Sequence, residues 1–392
     1  MKNTFIVILF MLGVTFASAQ QSHSTVVQQS LIFPLQEEHV HGSSIVELPD
    51  GDLLTSWFQG SGERTADDVR IMASKFSQRT KKWSSPYLLA DTEGLPDCNP
   101  VLYLNGGKLF LIWIAVQANR WEYSILKVKS TTDFMGEKVS WQWQDNILLK
   151  PGDEFVTEVR EKFKQLPNLG RGWAEYAPRY DDMIISASKD LMKRSFGWMT
   201  RIKPLILEDS KILLPIYSDG LNFSMIAISQ DNSETWKSSM PIVGRGNIQP
   251  TLISKLNGDI VAYMRDSGDA PSRMHKSISK DKGQTWSVSE KTDMPSSASL
   301  DIVKLRDGRW LLVLNDTDSE RYKLSLYQSN DEGASWKFAH HLINDTKDKG
   351  RYSYPAMIVG QDGKVHLTYS HHKTGQQKSI IYTMIDPDKI ER

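Results

Sequence analysis

The chain has 392 residues, in which 47 lysines and arginines balance 47 aspartates and glutamates, with a single cysteine. The neutral balance excludes the basic surface typical of nucleic-acid binding and offers no attraction to an anionic membrane. One cysteine excludes an intramolecular disulfide framework and any metal site built from several cysteines.

The N-terminal residues are typical of a secretory signal peptide. Lys2 supplies a positive charge, Phe5–Phe16 is apolar, and Ala17–Ala19 forms a small-residue cleavage site. The apolar run is shorter than the ~20 residues of a membrane span. We therefore expect a signal peptide at residues 1–19, an exported protein (periplasmic or secreted), and no membrane span after cleavage.

A turn motif of the form S-x-D-x-G-x-T-W recurs along the chain. Its three clear copies start 50 residues apart, at Ser229–Trp236, Ser279–Trp286 and Ser329–Trp336, and weaker copies end at Trp83 and Trp141. The aspartate can accept backbone N–H bonds, the glycine suits a left-handed backbone, and the tryptophan can anchor the turn. We expect these residues to be structural and to lie on the periphery of the fold.

Six β-hairpins alternate with this motif. Each consists of an apolar run, a turn rich in Asp, Asn or Gly, and a second strand-like run. The turns are centred near Gly51, Gly106, Asp209, Gly258, Gly308 and Gly363. Length alone suggests two or three domains, but six units of about 50 residues predict one all-β domain, a six-bladed β-propeller over residues 20–392.

The spacing doubles between the second and third hairpins, which predicts a partly helical insertion between blades 2 and 3, at about residues 148–200. Within Glu154–Leu166, Phe155, Val159, Phe163 and Leu166 share a helical face. The glycine- and aromatic-rich segment at residues 170–180 could form a rim over the channel or simply cover a blade edge.

The repeated turn motif resembles the Asp-box, or BNR repeat, of the sialidase (neuraminidase) superfamily, and the resemblance runs from about His39 to the C-terminus. It implies arginines that bind a sugar carboxylate, a tyrosine nucleophile with a glutamate partner, and an aspartate as acid/base. The matching positions are Arg265 after N-I-Q-P, Arg321 before the last Asp-box, Tyr352 in a Y-S pair, and Asp68 in the first-blade loop.

Two positions depart from that family pattern. His41 occupies the place of the first arginine, and Gln249 occupies the place of the glutamate. A neutral amide cannot deprotonate a phenol whose reference pKa is about 10, whereas a histidine can act as a base or hydrogen-bond a substrate. The resemblance is therefore to a divergent sialidase-like subfamily. Arg64 and Glu63 share the loop of Asp68, and we expect them to form an ion pair.

The sequence predicts a secreted, exo-acting, sialidase-like glycoside hydrolase that removes a terminal acidic sugar, such as a sialic acid. It acts as a monomer without metal or cofactor. The predicted catalytic residues are Tyr352, Asp68, His41 and Gln249, and the predicted substrate-binding residues are Arg265, Arg321 and Arg64. Two alternatives remain: a uronate-targeting polysaccharide lyase that uses His41 and Tyr352, and a non-catalytic glycan-binding propeller.

Overall fold

The computed structural model describes residues 25–168, 179–374 and 377–391. These residues form six antiparallel sheets in a ring, which confirms the predicted six-bladed β-propeller. The predicted signal peptide at residues 1–19 and most of the predicted rim segment at residues 170–180 lie outside the described residues.

The strands follow one another blade by blade. Strand β1 is Val26–Leu31. Blade 1 contains β2 (His39–Glu47), β3 (Leu53–Gly60), β4 (Arg70–Ser77), β5 (Lys82–Trp83) and β6 (Tyr87–Ala90). Blade 2 contains β7 (Asp97–Asn105), β8 (Lys108–Val116), β9 (Ser124–Thr131) and β10 (Trp143–Ile147).

Three helices separate blades 2 and 3: α1 (Asp153–Phe163), α2 (Tyr180–Lys189) and α3 (Leu191–Ser195). Blade 3 contains β11 (Trp198–Thr200), β12 (Leu205–Ile206), β13 (Ile212–Ser218), β14 (Phe223–Ser229) and β15 (Lys237–Ser238). Blade 4 contains β16 (Asn247–Ser254), β17 (Ile260–Asp266), β18 (Arg273–Ser279) and β19 (Glu290–Pro295).

Blade 5 contains β20 (Asp301–Lys304), β21 (Trp310–Leu314), β22 (Lys323–Ser329) and β23 (Lys337–Asn344). Blade 6 contains β24 (Gly350–Val359), β25 (Val365–Lys373) and β26 (Lys378–Ile385), and β1 supplies its fourth strand by pairing with β26. The two ends of the chain thus close the ring in one sheet, which protects strand edges that would otherwise be open to pairing.

The six predicted hairpins join the first two strands of each blade, except in blade 3, where the turn at Asp209 joins β12 to β13. Gly51, Gly258, Gly308 and Gly363 turn the chain with φ between 79° and 89°, a left-handed conformation that favours glycine. The second strands run through the core of the ring, and every residue of β8 after Lys108 is buried. The only cysteine, Cys98, is buried on β7 as a packing residue.

The three clear Asp-boxes form the turns between the last two strands of blades 3, 4 and 5. In blade 4 the Asp281 carboxylate accepts hydrogen bonds from Ser279 Oγ (2.8 Å), Thr285 N (2.9 Å) and Thr285 Oγ1 (2.6 Å). Trp286 donates its indole N–H to the Gly283 carbonyl at 3.2 Å. The prediction that these residues are structural is thereby confirmed.

Removing one such carboxylate is expected to weaken the blade. Asp281→Ala leaves the donors of Ser279 and Thr285 without their shared acceptor, and water replaces it only in part, so the free energy of unfolding should fall by about 1–3 kcal/mol. Urea denaturation measures the change. Asp293→Ala is the matched control, because the Asp293 side chain is exposed and makes no hydrogen bond or ion pair within the described residues. Equal stability of the two variants would contradict this role.

The insertion between blades 2 and 3 is helical, as its spacing predicts. Helix α1 buries Phe155, Val159 and Phe163 in the core shared with blades 1 to 3, and Leu166 packs against the same core. Lys162 is buried, bonds the Trp286 carbonyl of blade 4 and pairs with Glu158 at 2.8 Å. The insertion is thus anchored to the ring. None of the described helices has the length and apolar character needed to cross a bilayer.

Candidate functional site

Four inner strands carry the same backbone irregularity on their way into the centre of the ring. The register shifts there in β2, β7, β16 and β24. At each shift one residue has a φ between 53° and 62°: Gly42, Asn99, Gln249 and Tyr354. Such bulges bend a strand and re-aim its side chains. Proline follows three of these residues. Proline has no backbone N–H to donate to a neighbouring strand, and this costs no hydrogen bond here because the strand pairing is already interrupted.

Tyr354 is the side chain on which the neighbouring groups converge. Its hydroxyl oxygen accepts hydrogen bonds from Gln249 Nε2 at 3.2 Å and from an Arg265 guanidinium nitrogen at 3.4 Å. The guanidinium carbons of Arg201 and Arg321 lie 4.8 Å and 5.5 Å from the centroid of its ring. Three cations therefore surround the side chain of one tyrosine.

The three arginines differ in exposure. Arg201 is fully buried and donates to the Ser43 carbonyl (3.0 Å) and the Pro355 carbonyl (3.2 Å), so that it ties together the bulges of blades 1 and 6. Burial lowers the pKa of Arg201 to about 10, which leaves it charged at neutral pH. Arg265 and Arg321 are half-buried, and no carboxylate pairs with either one in the part of the chain that the structure describes.

Burial also lowers the pKa of the Arg321 guanidinium, with Tyr354 opposing this effect and the nearby Arg265 and Arg351 adding to it. Cations that are close enough to lower one another's pKa are stabilised by an anion placed between them. The Nε atom of Arg265 is buried and bonds nothing within the described residues. The arrangement of Arg265 and Arg321 is therefore suited to an anionic ligand, which their planar donors can bind in a bidentate manner.

The amide side chains of Gln249 and Asn99 and the phenol of Tyr217 are the next polar groups around Tyr354. Gln249 donates one amide proton to Tyr354 and the other to the Tyr217 hydroxyl (3.3 Å), while its oxygen accepts from Arg265 at 3.4 Å. Asn99 donates to the same Tyr217 hydroxyl at 3.3 Å, and the Asn99 Oδ1 atom is buried without a partner among the described residues. Burial raises the pKa of Tyr217 well above its usual value, so this phenol keeps its own proton to donate.

His41 stacks on Tyr354, with ring centroids 4.0 Å apart and an interplanar angle of 19°. Its Nδ1 atom lies 2.8 Å from Ser370 Oγ. Burial lowers the pKa of His41 well below 6.5, and His372, His39 and the arginines Arg321 and Arg201 act in the same direction. A neutral imidazole thus lies against the phenol ring face to face.

His372 also belongs to this cluster. It lies half-buried on β25, with its ring centroid 5.1 Å from that of His41, and its Nε2 atom lies 2.8 Å from the Val40 carbonyl oxygen. Burial lowers the pKa of His372 to about 4. Within the described residues, no group of three or more His, Cys, Asp or Glu side chains is arranged to hold a metal ion.

An ion pair joins blade 3 to the buried Asp301 of blade 5, and hydrogen bonds link the same carboxylate to blades 4 and 6. Lys203 Nζ lies 2.7 Å and 2.9 Å from the two carboxylate oxygens of Asp301. The same carboxylate accepts from Thr251 Oγ1 (2.9 Å) and from the Met357 backbone N–H (2.7 Å). Asp301 is completely buried and therefore depends on these partners.

Replacing Lys203 is expected to destabilise the ring. Lys203→Met leaves Asp301 buried without its counter-ion but with its other hydrogen bonds, so the free energy of unfolding should fall by about 2 kcal/mol. Urea denaturation beside Lys347→Met is the test, since Lys347 is exposed and unpaired within the described residues. No difference between the two variants would mean that Asp301 does not need this cation.

Comparisons with known proteins agree with this architecture. The sequence matches the family of BNR repeat-like domains over residues 51–177 and 185–367, which is more than half of the chain. The chain belongs to this family. The BNR repeat-like protein is also similar to a sialidase of Bacteroides fragilis (strain YCH46), with 31% identity over 168 residues. That match covers 39% of this chain and only 30% of the relative's length.

Solved structures share the fold of this BNR repeat-like protein. A protein of unknown function from Dyadobacter fermentans DSM 18053 has a TM-score of 0.67 and 16% identity, with 92% of this chain and 98% of that chain covered. The NanB sialidase of Streptococcus pneumoniae has a TM-score of 0.64 and 13% identity, with coverage of 92% and 71%. Trypanosoma rangeli sialidase, solved with the inhibitor DANA, has a TM-score of 0.64, 13% identity and coverage of 90% and 55%. The predicted sialidase-like BNR propeller is confirmed.

The structure brings together His41, Gln249, Arg265 and Arg321 around Tyr354, but it places Tyr352 elsewhere. The Tyr352 hydroxyl donates to Asp345 Oδ2 at 2.6 Å, and its ring stacks on His371 with centroids 4.8 Å apart. Burial and Asp345 raise the pKa of Tyr352. Tyr352 is therefore a packing residue of the core between blades 5 and 6, and Tyr354 occupies the position in the site.

Asp68 forms its hydrogen bonds within its own loop. Its carboxylate accepts from the Ser61 backbone N–H (2.9 Å) and from Ser61 Oγ (2.5 Å), and these bonds lower its pKa. A carboxyl group that acts as a general acid near neutral pH needs a raised pKa instead. The carboxylate of the same loop that points toward the histidines is Glu63, whose Oε2 lies 3.3 Å from His39 Nε2.

Arg64 does not pair with Glu63 as the sequence suggests. Its guanidinium pairs with Asp219 at 3.2 Å and lies 4.2 Å from the centroid of the Trp121 ring. The charge of Arg64 is therefore already paired.

Proposed function

We propose that this BNR repeat-like propeller is an exo-acting glycoside hydrolase that removes a terminal acidic sugar, such as a sialic acid, from glycans. The observation that carries the proposal is the convergence of Arg265 and Arg321 on Tyr354, with no carboxylate partner for either arginine in the described residues. A sugar carboxylate supplies the missing anion. The similarity to sialidases supports the same substrate class.

Tyr354 takes the role that the sequence assigns to Tyr352. A tyrosine can act as the nucleophile of a glycoside hydrolase once its phenol has given its proton to water. Gln249 and Arg265 both donate to its oxygen, and such donors stabilise negative charge that develops there. Gln249 thus acts as a hydrogen-bond donor rather than as a base, which accounts for an amide at this position. His41, stacked on the ring, positions Tyr354.

Glu63 is the proposed acid/base in place of Asp68. It is half-buried beside His39, and its charge is close enough to Arg321 to influence that guanidinium. A carboxyl group on this side of the site can protonate the leaving oxygen while the sugar carboxylate is held by the arginines. Asp68 instead holds its own loop through Ser61.

A lyase remains the second candidate, because neutral His41 and the phenol of Tyr354 lie in contact beside two arginines. A base and an acid next to a neutralised uronate carboxylate are what proton abstraction and elimination require. A lyase leaves an unsaturated uronate that absorbs ultraviolet light, whereas a hydrolase does not.

A panel of aryl sialosides, uronides and rhamnosides, together with uronate polysaccharides, tests the proposal. We expect the wild-type protein to release the aryl alcohol from an acidic sugar and to produce no unsaturated uronate. Release from neutral rhamnosides alone would contradict the role of the arginines. Unsaturated product would favour the lyase, and glycan binding without any product would favour a non-catalytic propeller.

We also propose that the protein is exported. The support is the charged, apolar and small-residue order of residues 1–19. Mass spectrometry of the protein from fractionated cells should find a mature chain that begins near Gln20 outside the cytoplasm. A full-length cytoplasmic chain would contradict export.

A further inference from the structure

A cleft of about 820 Å³ lies beside the candidate site. One wall comes from the loop between β8 and β9, which contains Trp121 and Tyr123, and the other comes from α3 and Phe196 of the insertion. The volume falls within the range of about 300–1,000 Å³ that small-molecule sites occupy. The proposed chemistry at Tyr354 does not use this space.

The cleft adjoins the candidate site through two residues. Arg64 lines the cleft and directly follows Glu63, the proposed acid/base. Asp219 lines it as well and lies two residues after Tyr217, whose hydroxyl is bonded to Gln249. The Arg64–Asp219 ion pair at 3.2 Å therefore marks the boundary between the two spaces.

The walls are held by specific contacts. Asp190 caps α3 by accepting from Met192 N at 2.9 Å, and buried Arg194 donates to the Pro151 carbonyl at 3.0 Å. Gly197 (φ 76°) lets the end of α3 approach the opposite loop, because a Cβ atom there would lie 2.5 Å from the Glu122 carbonyl oxygen. These contacts fix the positions of the two cleft walls, one from blade 2 and one from the insertion.

The charges of the cleft are largely neutralised within it. Arg64 pairs with Asp219, and Arg120 pairs with Glu122 at 2.5 Å. This differs from the central site, where Arg265 and Arg321 have no carboxylate partner in the described residues. A polyanion is therefore not the ligand that the cleft favours.

The apolar side chains of the cleft are open to solvent. Tyr123 is 50% exposed and Met192 is 63% exposed. A pyranose ring presents C–H groups on its faces and hydroxyls around its edge. It can pack a face against Tyr123 and Met192 and direct its hydroxyls to the polar side chains of Gln117 and Lys193, which also line the cleft.

We infer that this cleft binds neutral pyranose residues on the leaving-group side of the glycan, next to the acidic terminal sugar. The inference rests on the proposed function, because it assumes that the terminal sugar occupies the central site. The substrate class is then an oligosaccharide in which an acidic terminal sugar is linked to uncharged sugars.

Binding is tested without catalysis by titrating lactose, a neutral disaccharide, into the Tyr354→Phe protein and following tryptophan fluorescence. We expect a saturable change that is lost in Trp121→Phe, because Trp121 lies on the cleft wall. Tyr123→Ala should weaken lactose binding by about tenfold, and Phe338→Ala, at a 44% exposed aromatic on blade 5, should not. No saturable change, or equal affinity in the Tyr123→Ala protein, would overturn the inference.

Kinetics test the same cleft in the wild-type background. Tyr123→Ala should lower kcat/KM about tenfold for the acidic sugar linked to lactose and leave kcat/KM for the methyl glycoside of that sugar unchanged, because a methyl leaving group does not reach the cleft. An equal loss on both substrates would overturn the cleft as a subsite. If neither substrate is cleaved by the wild-type protein, the proposed function fails, and the lactose titration still decides whether the cleft binds neutral sugars.

Discussion

Tyr354→Phe is expected to lower kcat on the acidic-sugar substrate by about 10⁴-fold or more, the scale of loss on removing the nucleophile of a hydrolase. The change removes one hydroxyl and keeps the ring on which His41 stacks. The fold should therefore survive. Steady-state rates of aryl alcohol release measure the effect, and near-ultraviolet circular dichroism checks the fold.

Tyr352→Phe is the matched control two residues away. Its hydroxyl bonds Asp345 in the core between blades 5 and 6, so its loss should reduce stability while kcat stays within about tenfold of the wild type. If Tyr352→Phe abolishes turnover and Tyr354→Phe does not, the assignment from the sequence is right and the one from the structure is wrong.

Arg265→Ala is expected to lower kcat/KM for the acidic sugar by about 10²-fold, the value of losing charge-assisted hydrogen bonds to a carboxylate. The same variant should lose little on the methyl ester of that sugar, because the ester has no negative charge to bind. Measuring both substrates separates carboxylate recognition from general damage to the site.

Arg265→Lys gives a second control, since it keeps the positive charge but loses the planar guanidinium donors that bind a carboxylate in a bidentate manner. We expect an activity between those of wild type and Arg265→Ala. Equal losses on the acid and on its ester in Arg265→Ala would mean that Arg265 only positions Gln249 and Tyr354, to which it donates.

The blades could be predicted from the sequence because each one is local. A hairpin turn such as that at Gly258 and an Asp-box such as that at Asp281 lie within one blade, and their residues need no distant partner to be recognised. The same holds for α1, because the spacing of apolar residues within Glu154–Leu166 predicts its buried face. Turn chemistry and side-chain periodicity are short-range properties of the chain.

The site could be predicted only in part, and its tyrosine shows why. A Y-S pair points to Tyr352, but the inner strands carry a more regular signal. Gly42, Gln249 and Tyr354 each precede a hairpin glycine by nine residues, at Gly51, Gly258 and Gly363. The residue equivalent to Gln249 in the last blade is therefore Tyr354, and this spacing could have identified it.

Other members of the site have no such signal. Arg201 follows the insertion, outside the hairpin pattern, and reaches the bulges at Ser43 and Pro355 only because the ring brings blades 1, 3 and 6 together. His372 likewise joins His41 across two sheets. Contacts between residues more than 150 positions apart depend on closure of the ring, which local patterns do not record.

A crystal structure of the Tyr354→Phe protein with the intact acidic glycan bound tests the central claim most directly. We predict that the sugar carboxylate lies within about 2.7–3.2 Å of guanidinium nitrogens of both Arg265 and Arg321, with the anomeric carbon over the ring at position 354. A sugar bound with its carboxylate away from both arginines would contradict the claim.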